Sequence, residues 1–253
     1  MQRVILCEGR TDAILISYLL EKCWEWHFNN KLTVKPRVRL PAERQNECLN
    51  WYSRHGVDLA IWAVGGYTEI PAKLKRITER TRHEQNETLR FSHIVIVCDR
   101  DWRTAEQSKA EINEWLADAG VELGEDLEPG RWLGGTIALE RTPKAHHSVK
   151  ILALVLPPST PGGLETFLLK ALAENHDNKV LVDKAHLFVD CVSSKTSYLK
   201  KSRLKPKAQL GSVLSVMSPD WVFSELNERL TRVKWEDLTQ VSQVWGLLEH
   251  LSQ

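Results

Sequence analysis

Three acidic sites stand directly after, or just past, runs of the chain that read as strands. Glu8 follows Val4-Ile5-Leu6-Cys7, Asp99 and Asp101 follow Ile94 to Cys98, and Glu165 lies just past Val149 to Leu156. In open α/β sheets the ligand crevice lies at the carboxyl ends of strands, so acids from distant parts of the chain are expected to converge there. Asp99 and Asp101 are two apart, and if the strand geometry persists their side chains share a face and can grip one cation. Hard oxygen donors of this kind suit Mg²⁺ or Mn²⁺, which take a few carboxylates and leave room for a substrate phosphate. Carboxylates crowded together without a counter-charge repel, so a bound cation is the natural completion of the set.

The elements that would position these acids alternate along the chain. Val4 to Cys7 is a short apolar run, and Ala13, Ile14, Ile16, Tyr18, Leu19 and Leu20 have helical spacing after the cap types Thr11 and Asp12. Val34 to Leu40 reads as an extended piece. Leu59 to Val64 is a buried strand closed by Gly65-Gly66, with a charged helix from about Glu69 to His83. The strand Ile94 to Cys98 precedes a helix from Thr104 to Ala119 that stops at Gly120. Val121 to Ser148, rich in Gly, Pro and charge, reads as a long loop or hairpin insertion. Val149 to Leu156 is a strand, and a helix runs from Leu164 to about Glu174. Continuous apolar strands separated by helices predict an α/β fold, with a Rossmann-like, mostly parallel sheet covered by helices on both faces. From about Asp177 the pattern is helical to the C-terminus. The expected organisation is therefore a catalytic domain over residues 1–175 and a C-terminal, mostly helical and partly basic extension over 176–253.

Cys7-Glu8-Gly9-Arg10-Thr11-Asp12 places a Glu-Gly pair between a strand end and a helix start. With Asp99-Arg100-Asp101 after a later strand, it resembles the Toprim domain, the family of topoisomerases, bacterial primases, recombination-repair proteins, small maturation ribonucleases and OLD-type nucleases. Gly65-Gly66 and Pro161-Gly162-Gly163-Leu164-Glu165 are similar to those of small stand-alone prokaryotic Toprim proteins near the OLD-type branch. The resemblance covers residues 1 to 175 and implies a Mg²⁺- or Mn²⁺-dependent nuclease. Glu8, Asp12, Asp99, Asp101 and Glu165 are the implied metal-site carboxylates, and Glu8 acts as general acid or base or holds a second ion. In OLD-type nucleases a lysine comes from beyond the acidic motifs, which makes Lys195 the candidate near the scissile phosphate, with Lys200 and Lys201 as alternatives. Such chains are often paired with a separate ABC-type ATPase in anti-phage or repair systems, and no G-x-x-x-x-G-K-[ST] occurs here.

The basic run Lys195, Lys200, Lys201, Arg203, Lys205 and Lys207 could grip a phosphate backbone, or could be a solvated helix face. Arg10, Arg100 and Arg103 flank the acids and could meet phosphate oxygens or simply balance charge. Plainer roles exist for the acids too: Thr11, Asp12 and Asp101 as helix caps, and Glu165 as partner of a helix dipole. A rival reading is a non-catalytic module that keeps a Toprim site for nucleotide, nucleic-acid or partner binding. A phosphatase of the haloacid dehalogenase type fits less well, because its Asp-x-Asp lies near the N-terminus. His146-His147 lacks a third ligand and is assigned to solvent. The ten tryptophans are read as core and a possible interface near Trp24, Trp26 and Trp51, not as a base-stacking platform.

The 253 residues carry 34 basic and 33 acidic side chains, so any contact with a polyanion must come from a local patch. A mean hydropathy of −0.33 and the lack of any long apolar run argue against a disordered or membrane protein. Five scattered cysteines suggest neither a disulfide framework nor a zinc cage, and Cys7 and Cys98 are expected in the core. The N-terminus turns acidic and helical before a signal sequence could form, so a cytoplasmic location is expected. Oligomerisation is left open.

Overall fold

The computed structural model describes residues 1–29, 40, 45–140, 145–221 and 224–252. Its strands are β1 (Gln2–Cys7), β2 (His27–Phe28), β3 (Cys48–Arg54), β4 (Val57–Ala63), β5 (Phe91–Asp99), β6 (Val121–Leu123), β7 (Leu133–Ala138) and β8 (His146–Leu156). Its helices are α1 (Arg10–Trp24), α2 (Ile70–His83), α3 (Ala105–Asp118), α4 (Leu164–Leu172), α5 (His176–Ser193), α6 (Leu204–Met217), α7 (Leu226–Leu230) and α8 (Thr239–Trp245). The strands form one sheet in the order β2-β3-β4-β1-β5-β8-β7-β6. β4, β1, β5 and β8 are parallel, whereas β2 and β3 on one side and β7 and β6 on the other run antiparallel. The α/β class holds, and the parallel character is concentrated in the four central strands.

Those four strands are apolar without interruption because both faces are covered. Ile5, Cys7, Ile61, Val95, Val97, Leu152 and Leu154 point into one core, shared with α1, α4, α5 and α6. The alternate residues Val4, Leu6, Ala60, Trp62, Ile94, Ile96 and Ile151 point into the other, shared with α2 and α3. Each fully buried aliphatic side chain stabilises by roughly 1.5–3 kcal/mol relative to exposure. Cys7 and Cys98 are core residues as expected, and Trp26 and Trp51 are buried as well.

The helical C-terminal part shares the first of these cores. Trp235 and Trp245 are buried in the same cluster as Ile5 and Val95. The Tyr18 hydroxyl donates to Glu236 Oε2 at 2.6 Å, and Trp132 Nε1 donates to the Leu247 carbonyl at 2.8 Å. Residues beyond 175 are thus the covering layer of one sheet face.

Other expectations change in detail. The stretch 121–148 supplies β6, β7 and the first residues of β8, so the hairpin alternative is the better description of its described part. His147 is buried in β8, its Nε2 2.9 Å from the Phe91 carbonyl, and only His146 faces solvent. The extended piece expected over 34–40 lies, Leu40 apart, outside the described residues. Among the described residues no helix is long and apolar enough to cross a membrane.

Candidate functional site

After β1 the chain fills one side of the sheet with β3 and β4, and β5 and β8 then fill the other. The connections leaving β1 and β5 therefore diverge, and a crevice opens between their carboxyl ends. Glu8 directly follows β1, and Asp99 is the last residue of β5. The gap is closed by one bond, with Asp99 N donating to Glu8 Oε1 at 2.7 Å. A crevice of about 1150 Å³ spreads above them, with Glu8, Asp12, Asp99, Asp101 and Glu165 all along its lining.

Each acid is held by its own local device. Gly9 is the N-cap of α1, and Asp12, at the third helical position, accepts from Gly9 N at 2.8 Å. The cap role foreseen for Asp12 is real, but it is performed from inside the helix, which starts at Arg10. Asp99 Oδ1 accepts from Leu164 N at 2.8 Å, so this carboxylate sits on the amino end of α4. The approach is so close that a Cβ on Gly163 would run into the Asp99 carboxylate. Glu165, one residue further, is buried and forms an ion pair with Lys207 of α6.

Asp101 does not share a strand face with Asp99, because β5 ends at Asp99 and the backbone of Asp101 turns left-handed, with φ 53°. Asp101 and Gly162 exchange two backbone hydrogen bonds, each 2.7 Å, and that bridge ties the β5 turn to the loop before α4. Both aspartates still border the crevice, though by a sharp turn.

Burial and crowding show in the proton affinities. Burial first, and the neighbouring acids second, push Asp99 up to about 9. Burial also raises Glu8 to about 7, even though the bond from Asp99 N favours its ionised form. Asp12 is pushed up to about 6 by burial, with Glu165 adding to the effect. A cluster of hard oxygen donors that holds protons so firmly is short of positive charge. Its chemistry fits a Mg²⁺ or Mn²⁺ ion, which would compete with those protons. Among the described residues no group of three or more His, Cys, Asp or Glu is placed so that it could hold a metal ion, so the acids would have to draw together around one.

The arginines divide. Arg100 and Arg103, expected at phosphate, are both buried and engaged within the protein. Arg100 donates to the Pro158 carbonyl, and Arg103 donates to the Asp99 carbonyl at 2.9 Å. The Arg103 guanidinium also lies 3.6 Å from Asp101 Oδ2 and 3.8 Å from the centre of the Tyr67 ring. They fix the turn that carries the acids and are not free to meet substrate. Arg10 is exposed and faces Gln45 and Asn46 in a neighbouring hollow.

Of the basic run, Lys200, Lys201, Arg203 and Lys207 line the same crevice as the acids, Lys207 in contact with Glu165. Lys195 does not. It follows the end of α5, exposed, with Nζ 3.9 Å from Cys191 Sγ. Lys205 instead ties α6 to α5 through Asp190, at 3.3 Å. Lys207 was a member of the run without a role of its own, and its i+4 spacing from Arg203 marks the same helix face. Trp102, Asn46 and Tyr67 also border the crevice, and no role was expected of them.

Fold and site together define an α/β protein with a carboxylate-floored, partly cationic crevice at the point where strand order reverses. The chain belongs to the family described as "Protein of unknown function (DUF3226)", whose model matches residues 2–221 and so includes every crevice residue named above. No curated protein matches it. It is similar in fold to the crystal structure of hypothetical protein PH0156 from Pyrococcus horikoshii OT3. The two are 20% identical, with a TM-score of 0.50 over 99% of this chain and 98% of that one.

Proposed function

We propose that this protein is a Mg²⁺- or Mn²⁺-dependent nuclease with a Toprim-type site, hydrolysing phosphodiester bonds of DNA or RNA. The observation that carries the proposal is the convergence of Glu8, Asp12, Asp99, Asp101 and Glu165 on one crevice that Lys200, Lys201, Arg203 and Lys207 also line. The motif resemblance to Toprim domains points the same way. In this reading Asp99, Asp101 and Glu8 hold the cation, with Asp12 and Glu165 available to a second. The ion, when bound, supplies positive charge against the phosphate oxygens.

The chain's own residues do the rest. Lys200, Lys201 and Arg203 hold the phosphate backbone at the rim. Glu8 accepts from Asp99 N at Oε1, which leaves its other carboxylate oxygen for the cation or, where the cation is held by the other acids, for a proton. Lys207 balances Glu165 until a phosphate displaces it. Five free cysteines suit the reducing cytoplasm, the compartment in which such an enzyme would meet nucleic acid. An ABC-type ATPase on a separate chain is the partner this reading suggests.

The second reading, a non-catalytic module for nucleic acid, nucleotide or a protein partner, is favoured by the internal partners of the acids. Lys207 already pairs with Glu165, and Arg103 lies beside Asp101. The two readings part on one experiment: incubation of purified protein with plasmid, single-stranded DNA and structured RNA in Mg²⁺ or Mn²⁺, with EDTA and Glu8→Ala controls. Cleavage that disappears in both controls supports the nuclease. A folded wild-type protein silent on every substrate favours the module.

A further inference from the structure

The turn from Asp99 to Arg103 is fixed at every residue except one. Asp99 is bonded through its N–H to Glu8 and through its carboxylate to Leu164 N. Arg100 N donates to the Leu156 carbonyl at 2.6 Å, and its guanidinium is buried against Pro158. Asp101 is bridged twice to Gly162, and Arg103 is buried beneath Tyr67, its N–H donating to the Arg100 carbonyl at 3.0 Å. Trp102 alone projects, 81% exposed, from the middle of this brace. Its ring borders the crevice beside Asp101.

A large indole left in water on a mobile loop needs no explanation. On a turn held by this many bonds, at the edge of a charged crevice, its exposure is imposed by the backbone around it. The left-handed backbone of Asp101, which side-chain-bearing residues seldom adopt, belongs to the same brace. The surroundings limit what the ring can be for. The crevice it borders is floored by carboxylates and walled by Lys200, Lys201 and Arg203, an arrangement suited to a phosphodiester chain and poorly suited to an apolar peptide. Beside a backbone-holding cationic wall, an exposed aromatic ring offers a π-face to a base.

We propose that Trp102 is a base-stacking platform, and that the crevice therefore accepts an unpaired nucleotide: single-stranded nucleic acid, or an unpaired segment of a folded one. Bases inside a duplex have both faces covered by their neighbours, so only an unpaired or extruded base can lie on Trp102. The inference rests on the nucleic-acid reading of the site and adds to it the class of substrate. The Arg103 guanidinium lies 5.7 Å from the centre of the Trp102 ring, loosely backing one side of it, but only 3.8 Å from the centre of the Tyr67 ring; Tyr67, so covered and with its hydroxyl bonded to Glu111, does not compete for this role.

The test is equilibrium binding of a fluorescein-labelled 20-nucleotide single strand, of the same strand carrying a run of abasic sites, and of its duplex. Each is measured with the full chain in Ca²⁺ and in EDTA. Wild-type protein is compared with Trp102→Ala and Trp102→Phe, with circular dichroism confirming that each is folded. Loss of one stacked base corresponds to roughly a 5- to 150-fold weaker affinity. Trp102→Ala is expected to lose that much on the single strand, Trp102→Phe to keep most of it, and the abasic strand to bind wild type no better than the intact strand binds Trp102→Ala. Duplex binding is expected to be weaker and indifferent to the substitution. Binding of the single strand that ignores both Trp102 and the presence of bases overturns the stacking role and leaves the ring to a protein partner. Failure of wild-type protein to bind any of the three nucleic acids overturns the functional reading and this inference together.

Discussion

Replacing Glu8 with Gln is expected to make the protein more stable at alkaline pH in the absence of divalent cations. Glu8 Oε1 accepts from Asp99 N at 2.7 Å, and a glutamine oxygen can keep that bond. What changes is the charge. Burial raises the carboxyl from its ordinary value of 4.5 to about 7, so in that interval the folded chain keeps a proton that the unfolded chain has released. Stability contributed by Glu8 therefore falls as pH rises from 4.5 to about 7, and the penalty is complete above that window. The separation corresponds to about 3 kcal/mol at pH 8 and about 1 kcal/mol at pH 5. Accommodating the amide hydrogens offsets part of it, so a gain of about 2 kcal/mol at pH 8 is expected. For a chain of this length that raises Tm by roughly 4–8 °C. The assay is thermal or urea unfolding of wild type and Glu8→Gln in EDTA at pH 5 and pH 8. A variant less stable than wild type at pH 8, or an advantage that does not grow between the two pH values, refutes the assignment of Glu8 as a buried, charge-starved carboxylate.

Three further outcomes follow from the same geometry. Mn²⁺ at about 100 times its Kd at pH 8 is expected to stabilise wild type by about 2.7 kcal/mol there, and the same concentration to stabilise it less at pH 6, where protons on Glu8 and Asp99 compete; calorimetric scans of Asp99→Asn should show no such response. Gly163→Ala forces the Asp99 carboxylate off the amino end of α4, costing about 1–3 kcal/mol in urea unfolding and most of the cation response. Trp235→Ala is expected to lose about 3–5 kcal/mol in a single cooperative transition, because this fully buried indole lies in the core that also holds the sheet; a separate low-temperature transition of the C-terminal helices would contradict that packing.

The centre of the fold was legible because β1, β4, β5 and β8 bury both faces and so write unbroken apolar runs into the sequence. The edges were not. β3, Cys-Leu-Asn-Trp-Tyr-Ser-Arg, is only partly buried and mixes polar with aromatic residues, and β7 contains Gly134-Gly135, which weakens any strand signal. Glu8, Asp99, Asp101 and Glu165 reach one crevice as the strand-end argument required, and Asp12, which only the motif resemblance implied, lines it too. The shared face of Asp99 and Asp101 failed, because the turn is set by a bridge to Gly162, more than 60 residues away in sequence. Lys195 lies away from the crevice while its alternatives Lys200 and Lys201 line it, since which lysine nears the acids depends on how the segment before α6 and α6 itself pack against α4. Arg100 and Arg103 look like phosphate ligands in sequence, and only tertiary contacts reveal them as buried braces. Reading the tryptophans mostly as core does not single out Trp102, because its exposure is a property of the turn and not of the residue type.

The most direct test is the rate of nucleic-acid cleavage in Mn²⁺ by wild type and by Glu8→Gln, side by side at a pH where both are shown to be folded. The account predicts a variant that unfolds later than wild type in EDTA at pH 8 and yet, in Mn²⁺, cleaves nothing that wild type cleaves. Equal cleavage by the two proteins, or none by folded wild type on single-stranded DNA, structured RNA and plasmid alike, would contradict it.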